Sequence, residues 1–145
     1  MPVPSGPVVA DTGPYADVEA LVKQWLTTTL AYTNVTHDLP TNLAFVLPLI
    51  VVERFGGSDD VITLDVARVD LDVFAASRDT AKQHALTIWS ALRTRLPGHV
   101  HDNTTVVGKV KTISPPTKAA FDSRNTVHRF TMAVQIHLHQ FAGVS

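Results

Sequence analysis

Leu47-Pro-Leu-Ile-Val-Val-Glu-Arg-Phe-Gly-Gly57, followed by Ser58-Asp59-Asp60 and then Val61-Ile-Thr-Leu-Asp-Val-Ala-Arg-Val-Asp-Leu-Asp-Val-Phe74, is the stretch that decides the fold. Leu49 to Phe55 reads as a mostly buried strand, and Gly56-Gly57 permits the positive φ of a tight turn. Val61 to Phe74 is a second, longer strand. Ser77 then suits a helix N-cap, with Asp79 in the first turn. Ala81, Ala85, Ile88, Trp89, Leu92 and Leu96 recur at helical spacing until Pro97-Gly98 ends the helix. The long strand carries one irregularity. Its apolar set runs Ile62, Leu64, Val66 and then changes phase to Val69, Leu71, Val73, which predicts either a β-bulge near Ala67-Arg68 or two buried faces. Either device would let Asp65, Asp70 and Asp72 share a polar face.

Upstream, Met1 to Pro14 holds four prolines and two glycines, which predicts an extended arm with no core structure. A single domain is expected over residues 15–145. Val18, Leu21, Val22, Trp25, Leu26 and Leu30 form the apolar stripe of a first helix, with Asp17 and Glu19 where the helix dipole favours acids. Trp25 reads as a core anchor. An edge strand is expected near Val35. Downstream, Thr104 to Ile113 reads as a strand with Val106, Val110 and Ile113 inward, and Ser114 to Asn125 as an irregular loop around Pro115-Pro116. Val127 to Phe141 alternates cleanly: Phe130, Met132, Val134, Ile136 and Leu138 on one face, Arg129, Thr131, Gln135, His137 and His139 on the other. The result is an α+β domain with an antiparallel or mixed sheet of about four strands and two α-helices packed on one face.

With 145 residues the chain can bury a sizeable core without a metal or disulfide. It has no cysteine, which removes disulfides, thiolate metal sites and Cys nucleophiles. Apolar residues make up 45% and charged residues 17%, a globular composition with a weakly polar surface that suits a partner. The start of the chain lacks the pattern of a signal peptide, and no apolar run approaches the ~20 residues that span a bilayer. The expectation from these features is a chain made in a cytoplasm and kept off the membrane.

The net charge of -1 conceals an asymmetry. Up to Asp72 there are ten acids and three bases; from Val73 onward, nine bases and three acids. Interleaved in one sheet, these charges would neutralise each other within the subunit. Segregated, they would give an acidic side and a basic side, as head-to-tail contacts in a ring require.

Little in the sequence points to chemistry. His99-Val-His101-Asp102 and His137-Leu-His139 each place two imidazoles at i, i+2, on one side of a strand. His137 and His139 are the metal candidates, provided His99, His101 or Asp102 supplies a third ligand. Solvent-facing or interface histidines are the simpler reading, and seven of them make assembly sensitive to mild acid. No serine sits in a Gly-x-Ser-x-Gly elbow, and Arg54-Phe-Gly-Gly-Ser-Asp-Asp has acids where a phosphate loop needs bases. The scattered bases among few aromatics do not indicate a sequence-specific nucleic-acid site. No catalytic residue and no cofactor is assigned.

Leu47-Pro-Leu-Ile-Val-Val-Glu-Arg-Phe-Gly-Gly and Val69-Asp-Leu-Asp-Val-Phe-Ala-Ala-Ser-Arg-Asp-Thr-Ala, together with the early helix carrying Trp25 and the closing Val127-His-Arg-Phe strand, resemble the tail terminator proteins of long-tailed bacteriophages. The resemblance implies a small α+β subunit of a hexameric ring that caps the finished tail tube and joins it to the head-side connector. It implies a structural protein of the virion tail or neck, assembled in the host cytoplasm. On this reading Asp65, Asp70 and Asp72, or the Asp59-Asp60 tip, meet Arg124, Arg129 or nearby bases of the next subunit. The alternatives are another neck component, such as a head-closure or adaptor protein, and a metal-dependent enzyme built on the histidine pairs.

Overall fold

The computed structural model describes residues 17–61, 64–121 and 126–140, with side chains outside that description at 58–61. The expected arm over 1–14, the Asp59-Asp60 side chains and Arg124 all lie outside the described residues.

Helix α1 spans Val18–Thr29. It starts where the Asp17 carboxylate accepts the N–H groups of Glu19 (3.0 Å) and Ala20 (3.2 Å), two of the donors every helix start leaves unpaired. A 12-residue helix is marginal by itself. Burial of Val18, Leu21, Val22, Trp25 and Leu26 holds it, at roughly 1.5–3 kcal/mol per fully buried aliphatic side chain. Helix α2 spans Arg78–Thr94 and begins at Ser77, whose hydroxyl accepts the Thr80 N–H at 3.1 Å. Ala81, Ala85, Ile88 and Leu92 form its buried stripe. Trp89 lies at the stripe's margin, donating its ring N–H to the Thr112 hydroxyl at 2.9 Å beneath the Arg93 guanidinium, 4.9 Å above the ring. Tyr32 ties the end of α1 to α2 through a 2.7 Å hydrogen bond with His84 Nδ1; burial pushes its phenol pKa up.

Among the described residues, six strands form one mixed sheet: β1 (Val35–Thr36), β2 (Leu49–Val61), β3 (Leu64–Ala75), β4 (Val100–His101), β5 (Thr105–Ala119) and β6 (His128–Gln140). Their spatial order is β1-β2-β3-β6-β5-β4, with β1 parallel to β2 and every other pair antiparallel. The α+β class and the two helices agree with the sequence. The count of about four strands becomes six through two short edge pieces, β1 where an edge strand was expected and β4 after α2.

Register assigns every side chain to a face. Ile50, Val52 and Arg54 of β2 stand opposite Val73, Leu71 and Val69 of β3, and these in turn opposite Phe130, Met132 and Val134 of β6. The apolar members of these rows join α1 and α2 in the main core. The other face carries a second, smaller cluster at one end. There Leu43, Val46 and Leu47 pack on Leu49, Val51, Phe74 and Val127, and Phe121 meets the Phe74 ring edge-on at 4.9 Å. The alternation expected for the closing strand is present residue by residue.

Three local expectations need correction. β3 pairs with β6 without interruption from Leu64 to Ala75, so no bulge lies in β3. The irregularity is in β2, where Arg54 to Gly57 spans three steps against two from Val69 to Ala67, so Gly56-Gly57 forms a bulge and not the expected tight turn, and β2 runs on to Val61 with a second shift after Asp59. The apparent phase change in β3 reflects two buried faces, since Val66 on one side and Asp65 and Ala67 on the other are all buried. Consequently Asp65 does not share a face with Asp70 and Asp72. Second, the loop expected from Ser114 is strand as far as Ala119. Beyond Val106, β5 pairs only with β6 among the described residues, and an unpaired edge accommodates Pro115 and Pro116, which lack N–H donors. Third, the bulge at Gly108 and Lys109 turns Val107, not Val106, into the core, and Ile113, expected inward, is 44% exposed.

Candidate assembly surface

Two acid–base groups lie back to back across the β2–β3 hairpin. On the helix side, Arg54 grips Asp65 with both terminal nitrogens, at 2.7 and 2.8 Å, and its Nε donates to the Gly56 carbonyl at 2.9 Å. Asp65 is 2% exposed. The Arg54 N–H donates to Glu19 Oε2 at 2.7 Å, joining β2 to α1. A planar fork matched to a carboxylate is the strong form of this contact. It also fixes the bulge, because Gly57 (φ +115°) presses against the Val66 carbonyl where a Cβ would collide.

On the open face, Glu53 stands directly opposite Asp70, with Asp72 two residues further along β3. Arg68 Nε reaches Asp70 at 3.1 Å and Arg129 Nη2 reaches Asp72 at 3.3 Å. Glu53 forms no ion pair with another described residue. Together with Phe55 and Thr131, the three acids and Arg129 line a pocket of about 210 Å³. The Arg129 Nε is buried without an acceptor among the described residues, and Phe55, also lining the pocket, is 55% exposed. Further across the same face, β6 and β5 present Gln135, His137, His139 and the exposed Lys109 and Lys111. The face therefore changes sign from β2–β3 to β5.

Among the sequence-derived site residues, the structure brings Asp70, Asp72 and Arg129 together and separates Asp65 from them. The two histidine pairs are also separated. His101 stands level with Thr105 and Gln140 on the helix side, whereas His137 and His139 occupy the open face. Among the described residues no group of three or more His, Asp or Glu side chains is placed to hold a metal. His137 Nε2 lies 3.3 Å from Gln135 Oε1, and the His139 ring rests against Gly108. Burial and the neighbouring His101 lower the His99 pKa, and His101 lies 3.2 Å from the Asp102 carboxylate. A second groove, about 540 Å³, runs between α1 and the His37 and His101 side chains. The His101 Nδ1 there has no hydrogen-bond partner, and His37 Nδ1 is 3.6 Å from Glu19 Oε1, within ion-pair reach but too long for a hydrogen bond.

Glu53 and Phe55 were not singled out from the sequence. The alternation of Val51, Glu53 and Phe55 against Ile50, Val52 and Arg54 puts Glu53 and Phe55 on one face, but placing Glu53 beside Asp70 needs the register set by the irregularities of β2.

No known protein family and no curated protein matches the sequence. The fold does have a counterpart among solved structures: a chain from the virion of a native gene transfer agent particle superposes with a TM-score of 0.57 at 17% identity, over 84% of this chain and 94% of that one.

Proposed function

We propose that this protein is a structural subunit of a phage-type virion, and more specifically a tail terminator: a ring that caps the completed tail tube and joins it to the head-side connector. The observation that carries this reading is the shared fold with a virion chain over nearly the whole length of both. The resemblance of the Leu47–Phe74 hairpin and the following helix to tail terminators supplies the finer assignment, including the hexameric ring and a place in the tail or neck. The open face supports it chemically, because it offers charge and an exposed aromatic to a partner. Of the acids expected at the subunit interface, Asp65 is engaged by Arg54, so the contact falls to Asp70, Asp72 and Arg129, with Arg124 as a further base.

The test is sedimentation combined with electron microscopy of purified tail tubes. A terminator forms a salt-sensitive ring, with or without its target, and sits at one end of finished tubes. A chain that stays monomeric at high concentration and low salt, and leaves tubes undecorated, would overturn the reading. The virion match specifies no position in the particle, which supports a second reading as a head-closure or adaptor protein. Such a protein would bind connector rings in the same assay and ignore tubes.

A further inference from the structure

We infer that the acidic corner formed by Glu53, Asp70 and Asp72 is the seat for the Lys109–Lys111 stretch of a second copy of this chain. The inference rests on the reading of the protein as an assembling subunit, and names the side chains that meet.

Three observations carry it. Glu53 and Asp70 are direct cross-strand partners of like charge, an arrangement that disfavours the isolated subunit. Arg68 and Arg129 engage Asp70 and Asp72 from the flanks, while Glu53 is exposed and unpaired among the described residues. A cation arriving from outside would relieve that repulsion. The second observation is the complement on the same chain: Lys109 and Lys111 are exposed on β5, and neither forms an ion pair with another described residue. The third is Phe55. An exposed ring beside an acidic pocket accepts the methylene stem of a lysine along its face while the ammonium reaches the carboxylates.

The geometry favours contact between faces over continuation of the sheet. β5's free edge is broken by register shifts between Val107 and Val110, Thr112 and Ser114, and Ser114 and Thr117, and it carries Pro115 and Pro116. Such an edge does not accept a neighbouring strand in register. Neighbouring strands rotate by roughly 20–25°, so β2 and β5, three strands apart, look in directions roughly 60–75° apart. The acids and the lysines thus address different neighbours, as a repeating head-to-tail contact requires.

Charge reversal tests the inference in the full-length chain. E53K and K109E/K111E are each expected to weaken self-association at least about tenfold in low salt, the effect of losing about 1.4 kcal/mol of contact. An equimolar mixture of the two should recover the wild-type oligomer. Thermal melts guard against misfolding, and E53K should melt no lower than wild type because it removes the Glu53–Asp70 repulsion. Variants that assemble like wild type, or a mixture that fails to recover, would overturn the inference while leaving the assembly reading intact. Loss of tail-tube binding with unchanged self-association would overturn it in favour of the tube as occupant. A wild-type chain that never self-associates, alone or on tubes, would overturn both.

Discussion

Glu53 and Arg54 are adjacent in sequence and face opposite sides of one strand, and their fates differ. Arg54 is engaged within the subunit, its guanidinium by Asp65 and the Gly56 carbonyl and its backbone N–H by Glu19 of α1. Glu53 meets a second acid. The covered face uses charge to fix the shape of the hairpin, whereas the open face pairs Asp70 and Asp72 from the flanks and leaves Glu53 without an ion pair among the described residues. The difference teaches that residue type alone does not separate a structural ion pair from an assembly surface. Which face the strand presents decides it.

The comparison can be broken most severely from the covered side. Asp65→Ala leaves the Arg54 guanidinium without its carboxylate against a nearly closed face, and we expect a loss of about 3 kcal/mol in urea unfolding, at the low end for buried pairs because Arg54 is itself about one-third exposed. A variant within 0.5 kcal/mol of wild type would show the pair to be incidental. Next comes the bulge beneath it. Gly57→Ala combines a positive φ with a collision against the Val66 carbonyl, and should cost about 2–3 kcal/mol. The same measurement checks it, and an unchanged midpoint would mean that the bulge relaxes freely.

The histidines provide a smaller test of the same contrast. His99 has a folded-state pKa held below its ordinary 6.5, by burial first and by His101 second. The unfolded chain therefore binds the proton more readily. Stability is complete above the ordinary value and falls as pH drops below 6.5 toward the lowered folded value. His99→Asn should flatten the stability profile between pH 7 and 5, and an unaltered slope would assign the acid sensitivity elsewhere. The smallest effect belongs to the open face: Glu53→Gln should raise subunit stability by about 0.2–1 kcal/mol through relief of the like-charge pair, and Asp72→Asn should change it by under about 1 kcal/mol. A marked loss from either would mean that these acids hold the fold rather than face a partner.

The helices and the closing strand were legible because each has a single buried face and an unbroken period: α1 from Val18 to Leu26, α2 from Ala81 to Leu92, and β6 from Phe130 to Leu138. Legibility failed where the period is modified by a neighbour. Val66 is buried on the open face and Ala67 in the main core, so β3 looked slipped when the extra residue belonged to β2. Pro115-Pro116 read as a loop because a sequence does not announce which strand will stand at an edge. The sign and residue types of the assembly surface were visible in Asp70, Asp72 and Arg129. Its central member, Glu53, needed the hairpin register, and the separation of the two histidine pairs needed the position of β4.

The sheet order also dictates when the fold can be completed. β6 follows the other five strands in the sequence, yet stands between β3 and β5. The β2–β3 hairpin can form locally as soon as it leaves the ribosome, but β3 and β5 have no strand between them until β6 is made, and α2 is the earlier element that packs on both. At about 5–20 residues per second, several seconds of synthesis separate β3 from β6. During that interval β3 and β5 face an unfilled slot lined by Val69, Leu71 and Val107. Folding is therefore gated by the arrival of one central strand, and closure of that slot joins contacts far apart along the chain, the class of event that sets a slow folding rate.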